Sequence, residues 1–126
     1  MVKTRLEHLR VKILNFSDTP DSMGDVFDSA GVTVREGEVP VAYDYSDDIT
    51  KFMGWATLEK TDDGVYANIK SKDEERLKPL YPGAGGMILD RQGGTIKKCE
   101  IRMVGVHMGR NTDYSIGRIG EQLEKK

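Results

Sequence analysis

At 126 residues, with 37% apolar and 32% charged side chains, the chain has the size of one domain, residues 1–126, that can form a single core without disulfides or metal. Its 19 basic and 21 acidic residues leave a net charge of -2, and no stretch gathers about five like charges in a row, which removes the electrostatic basis for nucleic-acid binding. No run of about eighteen apolar residues is present and the first residues lack the apolar stretch of a secretory signal, so the expectation is a protein made in the cytoplasm with no membrane span.

In chain order, the first predicted element is a strand over residues 9–16. The segment from Asn15 to Val32 is rich in Ser, Asp and Gly and reads as a long loop. A strand follows over residues 39–43, with Pro40 near its start, where a missing donor is tolerated. Residues 52–69 read as a hairpin around Thr61, Asp62, Asp63 and Gly64, since Asp-Gly between two β-rich runs is a strong hairpin signature. On its second arm Val65, Ala67 and Ile69 alternate with Tyr66, Asn68 and Lys70; on its first arm Trp55 is expected to share a face with Met53 and Thr57.

Good helix formers over residues 72–78, stopped by Pro79, predict a short helix. A second hairpin joins residues 87–89 to residues 95–106 across Arg91, Gln92, Gly93 and Gly94, with a bend expected at Gly105. Residues 115–126 form a tail or a short helix, with Ser115 as N-cap and Ile116, Ile119 and Leu123 at helical spacing. Several short strands and few helices indicate a mainly β (α+β) domain, a small barrel or sandwich.

Candidate chemistry is thin. A nucleophile needs a base within hydrogen-bond reach, and the only histidines are His8, in a charged stretch, and His107, after a strand; no serine or cysteine lies in a nucleophile motif. Asp44, Ser46 and Asp48 copy the start of a calcium loop, but Ile49 stands where the sharp turn needs glycine and Trp55 where a bidentate carboxylate is required. The tract Gly83, Ala84, Gly85, Gly86 lacks the Lys-Ser/Thr of a phosphate loop and fits close backbone approach or a bulge. Tyr43, Tyr45, Trp55 and Tyr66 are expected in the core, as is usual for aromatics in a small β domain. The single Cys99 excludes an intrachain disulfide and a cysteine zinc site, and reads as a small buried residue on a strand. No catalytic residue, cofactor site or metal site is expected.

The order of several segments resembles the tailed-phage prohead protease family, serine proteases with a fold similar to herpesvirus assemblin. Residues 21–30 look like its early segment, and residues 39–45 like the strand that ends in its His-Asp. Gly54 to Glu59 followed by Asp63 to Ala67 is similar to its next hairpin, residues 83–89 to the strand carrying its nucleophilic serine, and residues 96–106 to the strand with its third catalytic member. The resemblance spans roughly residues 10–115 and implies a small β-barrel of that kind. By this alignment the histidine position is Tyr43, the serine position Gly83 and the third member Met103, so all three catalytic roles are vacant.

The resemblance therefore implies a protein without enzymatic activity. It points to a virion protein, a capsid decoration or cement subunit that binds the major capsid protein and assembles in the host cytoplasm, with a small homo-oligomer among the expected partners. The loop from Asn15 to Val32, the turn from Tyr43 to Asp48 and the chain ends are the expected contact surfaces. The alternative is a divergent or inactive prohead maturation protease or scaffold component; an active one would pair His107 with Ser17, Ser22, Ser29, Ser46, Ser71 or Ser115.

Overall fold

Alternation along the chain builds the strands. In β6 (Gly64–Lys70) Val65, Ala67 and Ile69 are fully buried while Tyr66, Asn68 and Lys70 face outward. A slip of one residue would exchange the two sets, so the register is strongly specified. The structure, a computed structural model, describes residues 8–17, 19–46, 48–71, 74–110, 113 and 115–124.

Among the described residues there are also β1 (His8–Asn15), β2 (Val26–Phe27), β3 (Val32–Val34), β4 (Glu38–Tyr43), β5 (Phe52–Lys60), β7 (Tyr81–Gln92), β8 (Thr95–His107), α1 (Glu74–Leu77) and α2 (Ile119–Glu124). The fold is thus mainly β with two short helices. One sheet runs β1-β6-β5-β4-β8, with β7 antiparallel to β8. Short β2, β3 and then β4 pair in parallel with successive stretches of β8. The sheet curls into a half-barrel: its margins β1 and β7 come into contact, but among the described residues no ladder joins them, so the expected barrel is not closed by hydrogen bonds there.

Bulges decide which side chains fill the core. An extra residue at Ile13 in the β1–β6 ladder turns Leu14 inward beside it. On β8, Ile96, Cys99, Ile101, Val104 and Val106 are buried, a spacing that strict alternation forbids. The ladder to β7 explains it, since Lys97 and Arg102 have no opposite residue. No irregularity falls at Gly105, which pairs with Gly83 in an unbroken stretch, so the expected bend there is not observed.

Other expectations are corrected. The loop from Asn15 to Val32 contains β2 and a turn of 3-10 helix at Ser29–Gly31 that Asp28 caps. The first arm of the second hairpin starts at Tyr81, so Gly83 to Gly86 lie inside a strand. Gly86 answers the expectation of close approach, because a Cβ there would fall 1.9 Å from the Glu100 carbonyl oxygen. Ser115 is no helix cap: its N–H and hydroxyl both donate to Asp113, at 2.9 and 2.6 Å. The C-terminal helix starts later, where the Arg118 N–H donates to Glu121 Oε1 at 2.8 Å. Part of the expected helix over residues 72–78, its first two positions, lies outside the described residues, as do the last two lysines.

Helix α2 bridges the open side of the half-barrel. The Ile119 and Gly120 N–H groups donate to the Leu80 and Lys78 carbonyls, each at 2.9 Å, and Ile119 is fully buried.

Candidate functional site

The most featured surface lies where β4 ends beside β7 and β8. Asp44 and Tyr45 both adopt left-handed backbone, with φ of 59° and 58°, a conformation unusual for residues with a Cβ. The Asp44 N–H still donates to the Val106 carbonyl at 2.8 Å. Two consecutive left-handed residues reverse the chain and lay the Tyr45 ring on the outer face of the sheet. Its floor is glycine: a Cβ on Gly105 would fall 2.2 Å from the ring, and one on Gly85 would fall 2.9 Å from it. Burial against this floor raises the Tyr45 phenol above its ordinary value, with the Asp44 charge adding to the shift.

Beside this ring, His107 lies with its centroid 5.7 Å away, and its buried Nδ1 has no hydrogen-bond partner. A cleft of about 510 Å³ runs from this corner along β7, lined by residues from β1, β7, β8 and the loop before β2. Ser17 is the one serine of the six that lines it, and its hydroxyl oxygen accepts from the Thr19 N–H at 3.1 Å. Among the described residues no serine hydroxyl bonds the His107 ring. Cys99 also lines the cleft; burial raises its thiol pKa, which disfavours the reactive thiolate.

The three positions taken from the resemblance fall on adjacent strands but not on one face. Gly83 pairs with Gly105 and Gly85 with Met103, all on the outer face. Tyr43 pairs with the fully buried Val106 and packs against the core, so it faces the other way. The tyrosine that reaches the outer face is Tyr45, two residues later.

The remaining candidates are dispersed. Asp48 is occupied as a cap, accepting from the Thr50 N–H and hydroxyl at 2.9 and 2.8 Å, bonds that lower its pKa. Asp47 and the His8 side chain lie outside the described residues. Among the described residues no group of three or more His, Cys, Asp or Glu could hold a metal.

Aromatic placement departs from expectation. Tyr66 lies under Arg10, 4.1 Å from its guanidinium carbon. Trp55 is 46% exposed and meets Phe52 edge-on at 5.0 Å. A bulge at Met53 in the β4–β5 ladder breaks the shared face expected for Met53 and Trp55, and Met53 packs against the core instead.

No family model matches this sequence, and neither the curated proteins nor the solved structures hold a match to it.

Sequence reasoning also missed an apolar strip. Met87, Ile88 and Leu89 are 45%, 50% and 54% exposed on the outer half of β7. The signal was present: three successive apolar residues cannot all face one core from a regular strand.

Proposed function

We propose that this chain is a non-enzymatic structural protein of a tailed-phage head, a decoration or cement subunit that binds the major capsid protein. The half-barrel is taken as a form of the prohead protease and assemblin fold. One observation carries the reading. On β7 and β8, where the resembled family keeps its nucleophile and third catalytic member, the outer face holds Gly83, Gly85, Gly105 and Met103, with the Tyr45 ring over Gly85 and Gly105. Neither glycine nor methionine can attack a carbonyl or orient an imidazole. A domain pattern kept without its chemistry fits a role carried by surfaces, and Trp55, Ile49 and residues 87–89 supply exposed apolar ones.

The test is mass spectrometry of mature virions from a phage encoding this protein, measuring the ratio of the intact chain to the major capsid protein. A fixed whole-number fraction supports the cement role. Absence from virions with presence in proheads overturns it in favour of a scaffold component.

The placing of Ser17 and His107 in one cleft favours a second reading, a divergent maturation protease. Self-cleavage on expression that Ser17→Ala abolishes would establish it; an intact wild-type chain counts against it.

A further inference from the structure

The two margins of the half-barrel are finished differently. At β1 the edge is closed: Gln122 bonds the Lys12 backbone, Arg10 and Lys12 place charge along the strand, and Ile13 forms a bulge. These are the devices by which natural sheets blunt an edge. At β7 the ladder to β8 occupies one side; β1 comes into contact on the other, but among the described residues no strand pairs with it. All side chains from Met87 to Gln92 are exposed, three of them large and apolar.

The cleft follows this unpaired margin. It touches Gly83, Gly86 and Ile88 along β7, inward residues such as Ile96 and Ile101, and Tyr45 on the outer face. Space that meets both faces of a sheet passes around its margin, and space beside a strand edge has the shape of another strand. Its charge is one-sided. Asp21, Asp25, Asp44, Glu100 and Asp113 line it against a single arginine, Arg110. Arg91 pairs with Asp25 and Arg102 with Glu100. Asp21, Asp44 and Asp113 make no ion pair among the described residues.

From this the geometry points to strand addition: the stretch of β7 from Gly86 to Gln92, which no strand pairs on its outer side among the described residues, takes up an extended segment of a partner protein in which apolar and basic residues alternate. Side chains turned inward meet Ile13, Ile96 and Ile101, and those turned to the rim meet the carboxylates of Asp21, Asp44 and Asp113. Main-chain hydrogen bonds to β7 hold the segment. A second copy is the poorer occupant, since joining two β7 edges would bring two acidic clefts together. The inference deepens the head-protein reading and rests on it for the partner's identity, which would be an extended segment of the capsid subunit.

The test uses the full chain and a short synthetic peptide alternating lysine and valine, with a glutamate–valine peptide and an N-methylated lysine–valine peptide as controls. Amide NMR titration and hydrogen exchange are the readouts. The lysine peptide is expected to bind at up to millimolar concentration, slow exchange at residues 86–90, and weaken several-fold as ionic strength rises. N-methylation on the side facing β7 should abolish binding without changing charge. Equal binding of the glutamate peptide, shifts located away from β7, no binding, or sedimentation showing β7 already covered in a dimer would each overturn the inference. Virion mass spectrometry tests the head-protein reading separately, so peptide binding by a chain absent from virions would sink that reading alone.

Discussion

The side-chain amide of Gln122 bonds both backbone groups of Lys12. Its Oε1 accepts from the Lys12 N–H at 2.7 Å, and its Nε2 donates to the Lys12 carbonyl at 3.1 Å. One side chain thus does for a single residue what a neighbouring strand would do, and it ties α2 to the margin of the sheet. The Nε2 group also donates to the Gly117 carbonyl at 3.2 Å, which fixes the amide's orientation.

Replacing this residue by Gln122→Ala leaves the part-buried Lys12 N–H and carbonyl without those partners. At about 0.5–1.5 kcal/mol net per bond, a loss of roughly 1–3 kcal/mol is expected. Urea denaturation measures it, and the Lys12 amide should exchange faster in the variant. A loss below about 0.5 kcal/mol with unchanged exchange would mean that water replaces the clamp.

Gly105→Ala places a methyl where the Tyr45 ring lies. The ring must swing away, and a cost of about 1–3 kcal/mol is expected from the overpacking. In a Tyr45→Ala background the same change should cost well under 1 kcal/mol, because the obstacle is the ring and not the strand. Equal costs in both backgrounds would place the strain in the β7–β8 ladder.

Asp63 accepts from Thr61 at 2.7 Å, Tyr66 at 3.1 Å and Lys12 at 3.2 Å. These bonds, the Thr61 one first, lower its pKa from 3.8 to about 2. A carboxyl depressed on folding stabilises above its unfolded pKa, and that contribution is lost as pH falls from about 4 through about 2. Asp63→Asn should therefore lower stability at neutral pH, with the difference from wild type vanishing towards pH 2. Carbon-detected NMR titration of the carboxyl locates the midpoint directly, and one near 3.8 would refute the account.

Cys99 is buried on β8 opposite Ile88. Labelling by an aromatic disulfide reagent should run on the order of a hundredfold slower than a free thiol and speed up in step with denaturant, since the residue is buried and opening of the ladder exposes the sulfur fully. Immediate labelling in the native state would show that the cleft admits reagent to the thiol.

How far the chain could be read without its fold follows from the range of the interactions. The turn at Asp63–Gly64 and the alternation of Val65, Ala67 and Ile69 are local, and the hairpin they encode is where the sequence puts it. Strand β4, the glycine turn into β8 and the burial of Cys99 were legible for the same reason. The parallel pairing of β2, β3 and β4 with β8 was not, because it joins residues such as Val26 and Thr95 that share no local signal. Which side chains of β8 turn inward depends on bulges at Lys97 and Arg102, and a bulge is defined only against a partner strand.

The candidate site divides along the same line. Its glycines could be recognised as points of close approach, since a missing Cβ is a property of the residue itself. That Tyr45 would cover Gly105 while Tyr43 turned to the core was decided by left-handed backbone at two residues with side chains. Tertiary contacts hold such conformations against their intrinsic cost. The same holds for the two sheet margins: the residues of β1 and β7 set their chemistry, but only the assembled half-barrel determines that Gln122 reaches one and that, among the described residues, no strand pairs with the other.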